Sequence, residues 1–116
     1  MNSTRKIRAA SLVIGGFALG LLSLTFPAGA ATSDAAATQL LTKYNCQACH
    51  TMDKKVVGPG YKEVAAKYAG DASAPAKLQQ KIKNGGSGVW GAIPMPPNNL
   101  PDADLKTLVE WILALK

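Results

Sequence analysis

The sequence is short of the residues that most often do chemistry. Of its 116 residues one is histidine, two are cysteine, and no arginine follows Arg8. A structural zinc site wants four nitrogen or sulfur ligands, more than one histidine and two cysteines can provide. Nucleic-acid surfaces rely on a dense basic stripe with arginine and stacking rings. Here aromatics make up only 6% of the chain and every positive charge beyond residue 30 is a lysine. The formal charge of +6 therefore points to no nucleic-acid partner. No strand and no βαβ pattern surrounds the two cysteines, which a thioredoxin-type redox pair would need.

Acidic residues are absent from the start of the chain, and that absence is informative. Arg5, Lys6 and Arg8 form a basic region, followed by an apolar run from Leu12 to Phe26 and then Pro27-Ala28-Gly29-Ala30-Ala31. This is the pattern of a secretory signal with an A-x-A site cut after Ala30. The run is also near the length that can cross a bilayer. Gly15, Gly16, Gly20 and the small residues at its end favour cleavage over retention as an anchor. Residues 31–116 are then a single domain of formal charge +3, since three of the thirteen basic residues and none of the seven acids leave. The expected location is the bacterial periplasm, with no stable membrane anchor and a monomeric state. A chain this short buries only about two-thirds of its unfolded surface, so an internal staple is expected.

What the chain does contain is Cys46-Gln47-Ala48-Cys49-His50. Cys-x-x-Cys-His is the attachment signature of c-type haem. On an α-helix, spacings of three and four put Cys46, Cys49 and His50 on one face. Two thiols so placed can each add to one vinyl group of a single porphyrin, and His50 then meets the iron from the same side. A disulfide across two residues would strain a helical backbone and leave His50 unexplained. One covalently bound haem c is the expected cofactor, and it would also serve as the staple.

Apolar spacing predicts helices over about 36–45, 61–68, 75–84 and 102–115. The first would lead directly into the cysteines. The last carries the clearest stripe, Leu105, Leu108, Val109, Ile112 and Leu115, with Trp111 packing toward the first helix. Residues 51–60 read as a loop through Gly58-Pro59-Gly60, and the Pro59 carbonyl is placed to accept the second ring N–H of His50. Met52 lies too close to His50 to reach the other face of a porphyrin. Residues 84–101 are rich in glycine and proline yet hold Val89, Trp90, Ile93, Met95 and Leu100. Such a long irregular segment in a small domain reads as a functional strap. Within it, Pro94 and Pro96 restrict the backbone around Met95. With no second histidine available, Met95 is the favoured sixth iron ligand.

In this order the pieces resemble the small bacterial class I cytochromes c, the type that donates electrons to haem nitrite reductase. The resemblance covers residues 36–116. Besides the cysteine motif it rests on Val57-Gly58-Pro59-Gly60-Tyr61-Lys62-Glu63-Val64-Ala65-Ala66-Lys67-Tyr68, on Lys83-Asn84-Gly85, and on Gly88-Val89-Trp90-Gly91-Ala92-Ile93-Pro94-Met95-Pro96-Pro97-Asn98. It implies an all-α fold of four to five short helices wrapped around one haem. By position it implies thioether links at Cys46 and Cys49, axial ligands His50 and Met95, and a Pro59 carbonyl that orients His50. It also implies a Trp90 indole N–H on a propionate, an Asn98 amide near the Met95 sulfur, and Lys81 near a propionate. Two positions depart from the pattern: Leu41 stands where many relatives have phenylalanine, and Asn45 where glycine often precedes the first cysteine.

An iron held by two axial ligands has no position open to substrate, so electron transfer is expected, not catalysis. A His/Met pair favours a comparatively high potential. A haem peroxidase or gas sensor is the rival reading, but it would need a distal acid or base, and residues 31–116 offer no second histidine and no arginine. The expected partners are a redox donor and an acceptor, in a respiratory chain ending at nitrite reductase or a terminal oxidase. They would dock transiently at an apolar patch of Val56, Val57 and Pro96 with Lys54 and Lys55 further out.

Overall fold

The structure, a computed structural model, describes residues 31–116. The leader read at residues 1–30 lies outside the described residues. Among the described residues four α-helices follow one another: α1 (Asp34–Lys43), α2 (Tyr61–Lys67), α3 (Ala74–Asn84) and α4 (Asp102–Ala114). A 3-10 turn, Cys46–Ala48, sits between α1 and α2. No strand forms among the described residues; two isolated bridges pair His50 with Lys55 and Gly86 with Met95.

Each helix begins and ends for a local reason. The Ser33 hydroxyl accepts the Ala36 N–H at 3.2 Å, so α1 starts at Asp34, two residues before the apolar spacing suggests. α2 opens at Gly60, whose N–H donates to the Glu63 carboxylate at 2.8 Å. α3 has Pro75 in its first turn and ends at Gly85, with a φ of +67° that a side chain would resist. A Cβ at Gly85 would also collide with the Met95 carbonyl oxygen, so glycine lets the strap turn back close against the helix end. α4 carries Asp102 and Asp104 in its first turn, at the positive end of the helix dipole.

α4 organises the rest. α1, α2 and α3 each pack against it and not against one another. Leu105 and Val109 are fully buried and Leu108 nearly so, each such side chain contributing about 1.5–3 kcal/mol of burial. Leu41, the departure noted above, is 3% exposed and belongs to the same cluster, so a smaller side chain than phenylalanine still closes the α1–α4 seam.

Polar ties fix how α1 lies on α4. Trp111 Nε1–H donates to Asp34 at the start of α1 (2.9 Å), while Tyr44 Oη and Lys43 Nζ at its end both donate to Asp104 (2.5 and 3.1 Å). The end of α4 thus meets the beginning of α1, and the two helices run antiparallel. Because three helices touch only the fourth, a gap is left between them. The strap, residues 85–101, runs back across this gap. It is folded on itself by paired Gly86 and Met95 backbone bonds (2.9 and 3.0 Å) and by the Gly88 N–H on the Gly91 carbonyl (2.8 Å).

Candidate cofactor site

The cysteine motif is not the continuation of a helix. α1 stops at Lys43, and Asn45 takes a left-handed conformation (φ +56°) that redirects the chain. Apart from glycine, asparagine is among the residues that tolerate this region best, which explains why it can stand where relatives have glycine. Cys46–Ala48 then form a 3-10 turn, in which residues three apart eclipse. Cys46 and Cys49 therefore reach one side by a tighter route than the α-helix expected from spacing alone. The His50 N–H closes on the Cys46 carbonyl at 3.1 Å. Both cysteines are partly buried, and burial pushes the Cys46 thiol pKa up.

His50 is held from several directions. Its Nδ1 lies 2.7 Å from the Pro59 carbonyl oxygen. A carbonyl can only accept, so Nδ1 carries the proton and Nε2 keeps its lone pair for a metal. Tyr61 stacks on the imidazole, ring centroids 5.6 Å apart and planes 29° from parallel. Gly58 packs so tightly that a Cβ there would collide with His50 Cε1, and its N–H donates to the Cys49 carbonyl at 2.8 Å.

The gap between the helices is a cavity of about 360 Å³. All eight residues singled out from the sequence line it: Cys46, Cys49, His50, Pro59, Lys81, Trp90, Met95 and Asn98. Most of the remaining wall is aliphatic, with Leu41, Val64, Leu78, Ile82, Leu108 and Ile112 contributed by all four helices. Asn98 has its amide on the Pro96 carbonyl (2.9 Å) and its backbone N–H on Ile82 (2.9 Å), which pins the strap beside Met95. Trp90 is held twice: Lys55 Nζ donates to its carbonyl at 2.6 Å, and Lys67 Nζ sits 5.4 Å from its ring centroid. Lys55 was expected among the outer docking lysines. Its side chain instead turns to the strap, because a backbone carbonyl lies within its reach.

These residues fit a covalent haem. Two thiols, an imidazole with one free nitrogen and a thioether face one largely aliphatic cavity, the donor set that such a group requires. The cavity wall also holds the Tyr61 hydroxyl, buried and without a partner among the described residues. Leaving such a group unpaired costs about 1–3 kcal/mol, so this wall is built to face something polar as well. Burial raises the Tyr61 pKa far above the ordinary phenol value. Sequence reasoning missed Tyr61 and Gly58 as neighbours of His50. The Gly58-Pro59-Gly60-Tyr61 run was the available signal.

The cytochrome c profile matches residues 35–116. The chain belongs to the cytochrome c family. It is similar to cytochrome c-552 of Nitrosomonas europaea, 53% identical over 104 residues, which covers 89% of this chain and 95% of the relative. It is also similar to cytochrome c-551 of Pseudomonas aeruginosa, 56% identical over 77 residues, 66% of this chain and 74% of that protein. The crystal structure of wild-type N. europaea cytochrome c552 matches with a TM-score of 0.65 and 57% identity, covering 68% of this chain and 99% of that one. The class 1 cytochrome MtoD of Sideroxydans lithotrophicus gives a TM-score of 0.62 at 37% identity, covering 72% and 97%. The fold is that of a small class I cytochrome c, an electron-transfer protein and not an enzyme, with a covalently bound haem c as its cofactor.

Proposed function

We propose that this cytochrome c is a periplasmic one-electron carrier whose iron is ligated by His50 and Met95. When bound, the haem supplies a one-electron couple. Cys46 and Cys49 would hold it by thioether links, and His50 would offer Nε2 while Pro59 keeps the proton on Nδ1. Met95, set in the strap by its bridge to Gly86, would offer its thioether from the other side. Lys81 and the Trp90 indole line the cavity where they could meet a propionate, and Asn98 holds the strap beside Met95. The aliphatic wall excludes water, which raises the cost of a charged iron and favours the reduced form.

Partners would dock over the exposed apolar rim. Val56 and Val57 are 57% and 42% exposed, and Val89 and Ile93 extend the patch that the sequence suggested. The acceptor would be a nitrite reductase or a terminal oxidase of a respiratory chain. No helix among the described residues is long and apolar enough to cross a membrane.

The observation that carries this reading is the His50 side chain, its Nδ1 committed to Pro59 and its Nε2 free, on a cavity that Met95 also lines. The test is Met95→Ala. The variant should change the iron spectrum and let the reduced protein take up carbon monoxide readily at neutral pH. An unaltered spectrum would remove the proposed ligation and the carrier role with it. Intact mass should show the leader lost and one haem gained. Val56→Glu should slow electron transfer and leave the spectrum alone.

A further inference from the structure

We propose that Lys55 is a positioning residue, a strut from the His50 side of the cavity that keeps the strap closed over Met95. Its backbone pairs with His50 in an isolated bridge, and its ammonium donates to the Trp90 carbonyl at 2.6 Å, 35 residues further along the chain. Lys55 is therefore anchored at one end beside one proposed iron ligand and at the other on the segment that carries the second.

The strap has little else to hold its outer arm. Val89 and Ile93 are 47% and 65% exposed, so between Gly88 and Ile93 only the partly buried Trp90 packs against the core, beside the local Gly88–Gly91 backbone bond. Segments with few buried contacts open at low free energy, and there one directed bond counts for most. The bond at Trp90 has a charged donor, which makes it stronger than a neutral one. Among the described residues no carboxylate pairs with Lys55, whereas Lys43, Lys62, Lys77, Lys83 and Lys106 all do pair. Its charge is spent on the strap. The Lys67 ammonium over the Trp90 ring holds the same residue from a second direction.

The consequence for the protein is control of access to the iron on the Met95 side, so this inference rests partly on the ligation proposed above. Two readouts keep the two ideas apart. Hydrogen exchange on the haem-loaded protein needs no assumption about ligation: in Lys55→Met, the Gly88 and Met95 amides should exchange about tenfold faster, while the Leu105 and Val109 amides keep their rates. The second readout is the rate at which imidazole binds the ferric protein, which should rise by a similar factor. Lys55→Arg, which keeps a charged donor, should restore both. Strap amides that do not change, or that speed up only in step with those of α4, would overturn the strut. So would a Lys55→Arg variant as open as Lys55→Met. If the strap amides respond but imidazole binding does not, the strut stands as a clamp on the strap and the claim about access to the iron is lost.

Discussion

On one side of the cavity, α4 presents Leu105, Leu108 and Val109, none more than 2% exposed, to three helices at once. On the other side, the strap has Leu100 buried at its end and Trp90 partly packed on the core, but leaves Val89 and Ile93 about half or more exposed and is otherwise held by a bridge, two lysines and an asparagine. The first side is stabilised by area removed from water, which is insensitive to small changes in direction. The second is positioned by directed bonds and by glycines that permit close approach, each worth little but specific in geometry. Stability and the placement of the proposed iron ligand Met95 thus fall mainly to different parts of one small domain, and variants should separate them.

Leu105→Ala tests the packed side and should have the largest effect on stability. Removing a fully buried leucine should cost about 2–5 kcal/mol in denaturant unfolding while the iron spectrum stays as in the parent. Gly58→Ala tests placement at the His50 loop instead. Its new methyl must displace the His50 ring, so a loss of about 1–3 kcal/mol should come with a changed iron spectrum. If both variants altered the spectrum equally, the separation drawn here would fail. Trp111→Phe removes the bond to Asp34 and part of a buried ring, and should cost about 1–3 kcal/mol, read as a lower midpoint with an unchanged spectrum.

The smallest effect should appear only as a dependence on pH. Hydrogen bonds from Tyr44, and then Lys43, hold the Asp104 carboxyl below its ordinary value of 3.8. A carboxyl lowered on folding stabilises above its unfolded pKa, and that contribution fades as pH falls through the folded value. Asp104→Asn should therefore unfold more easily than the parent at neutral pH. The difference should shrink below pH 3.8, measured as denaturation midpoints across that range. Asp71, lowered to about 2 by Lys77 and Ser73 on the surface, loses its share in the same direction and is a useful control, since it does not join α1 to α4.

The helices were legible in the sequence because their apolar spacing is local. α2, α3 and α4 begin and end within a residue of the positions read from the sequence, with Tyr61, Pro75 and Pro101-Asp102 marking their starts. The cysteine motif was legible in its chemistry but not in its conformation. A single left-handed residue, Asn45, ends the helix early, and no periodicity records such a choice. The strap could be recognised as ordered from Trp90, Met95 and Leu100, yet the Gly86–Met95 pairing and the Lys55–Trp90 bond join residues far apart in sequence, which pattern alone cannot supply. Tyr61 was read as a helix start. Its stacking on His50 appears only once the loop carrying Gly58 and Pro59 has closed.

The helix on which the other three converge also comes after them in the chain. A polypeptide leaving a ribosome or a translocation channel from its amino end cannot assemble this domain until Asp102–Ala114 has emerged, because before then its earlier helices have nothing to rest on. Cys46 and Cys49 precede that helix by more than fifty residues, so the order of elements along the chain leaves an interval for attachment before the cavity can close.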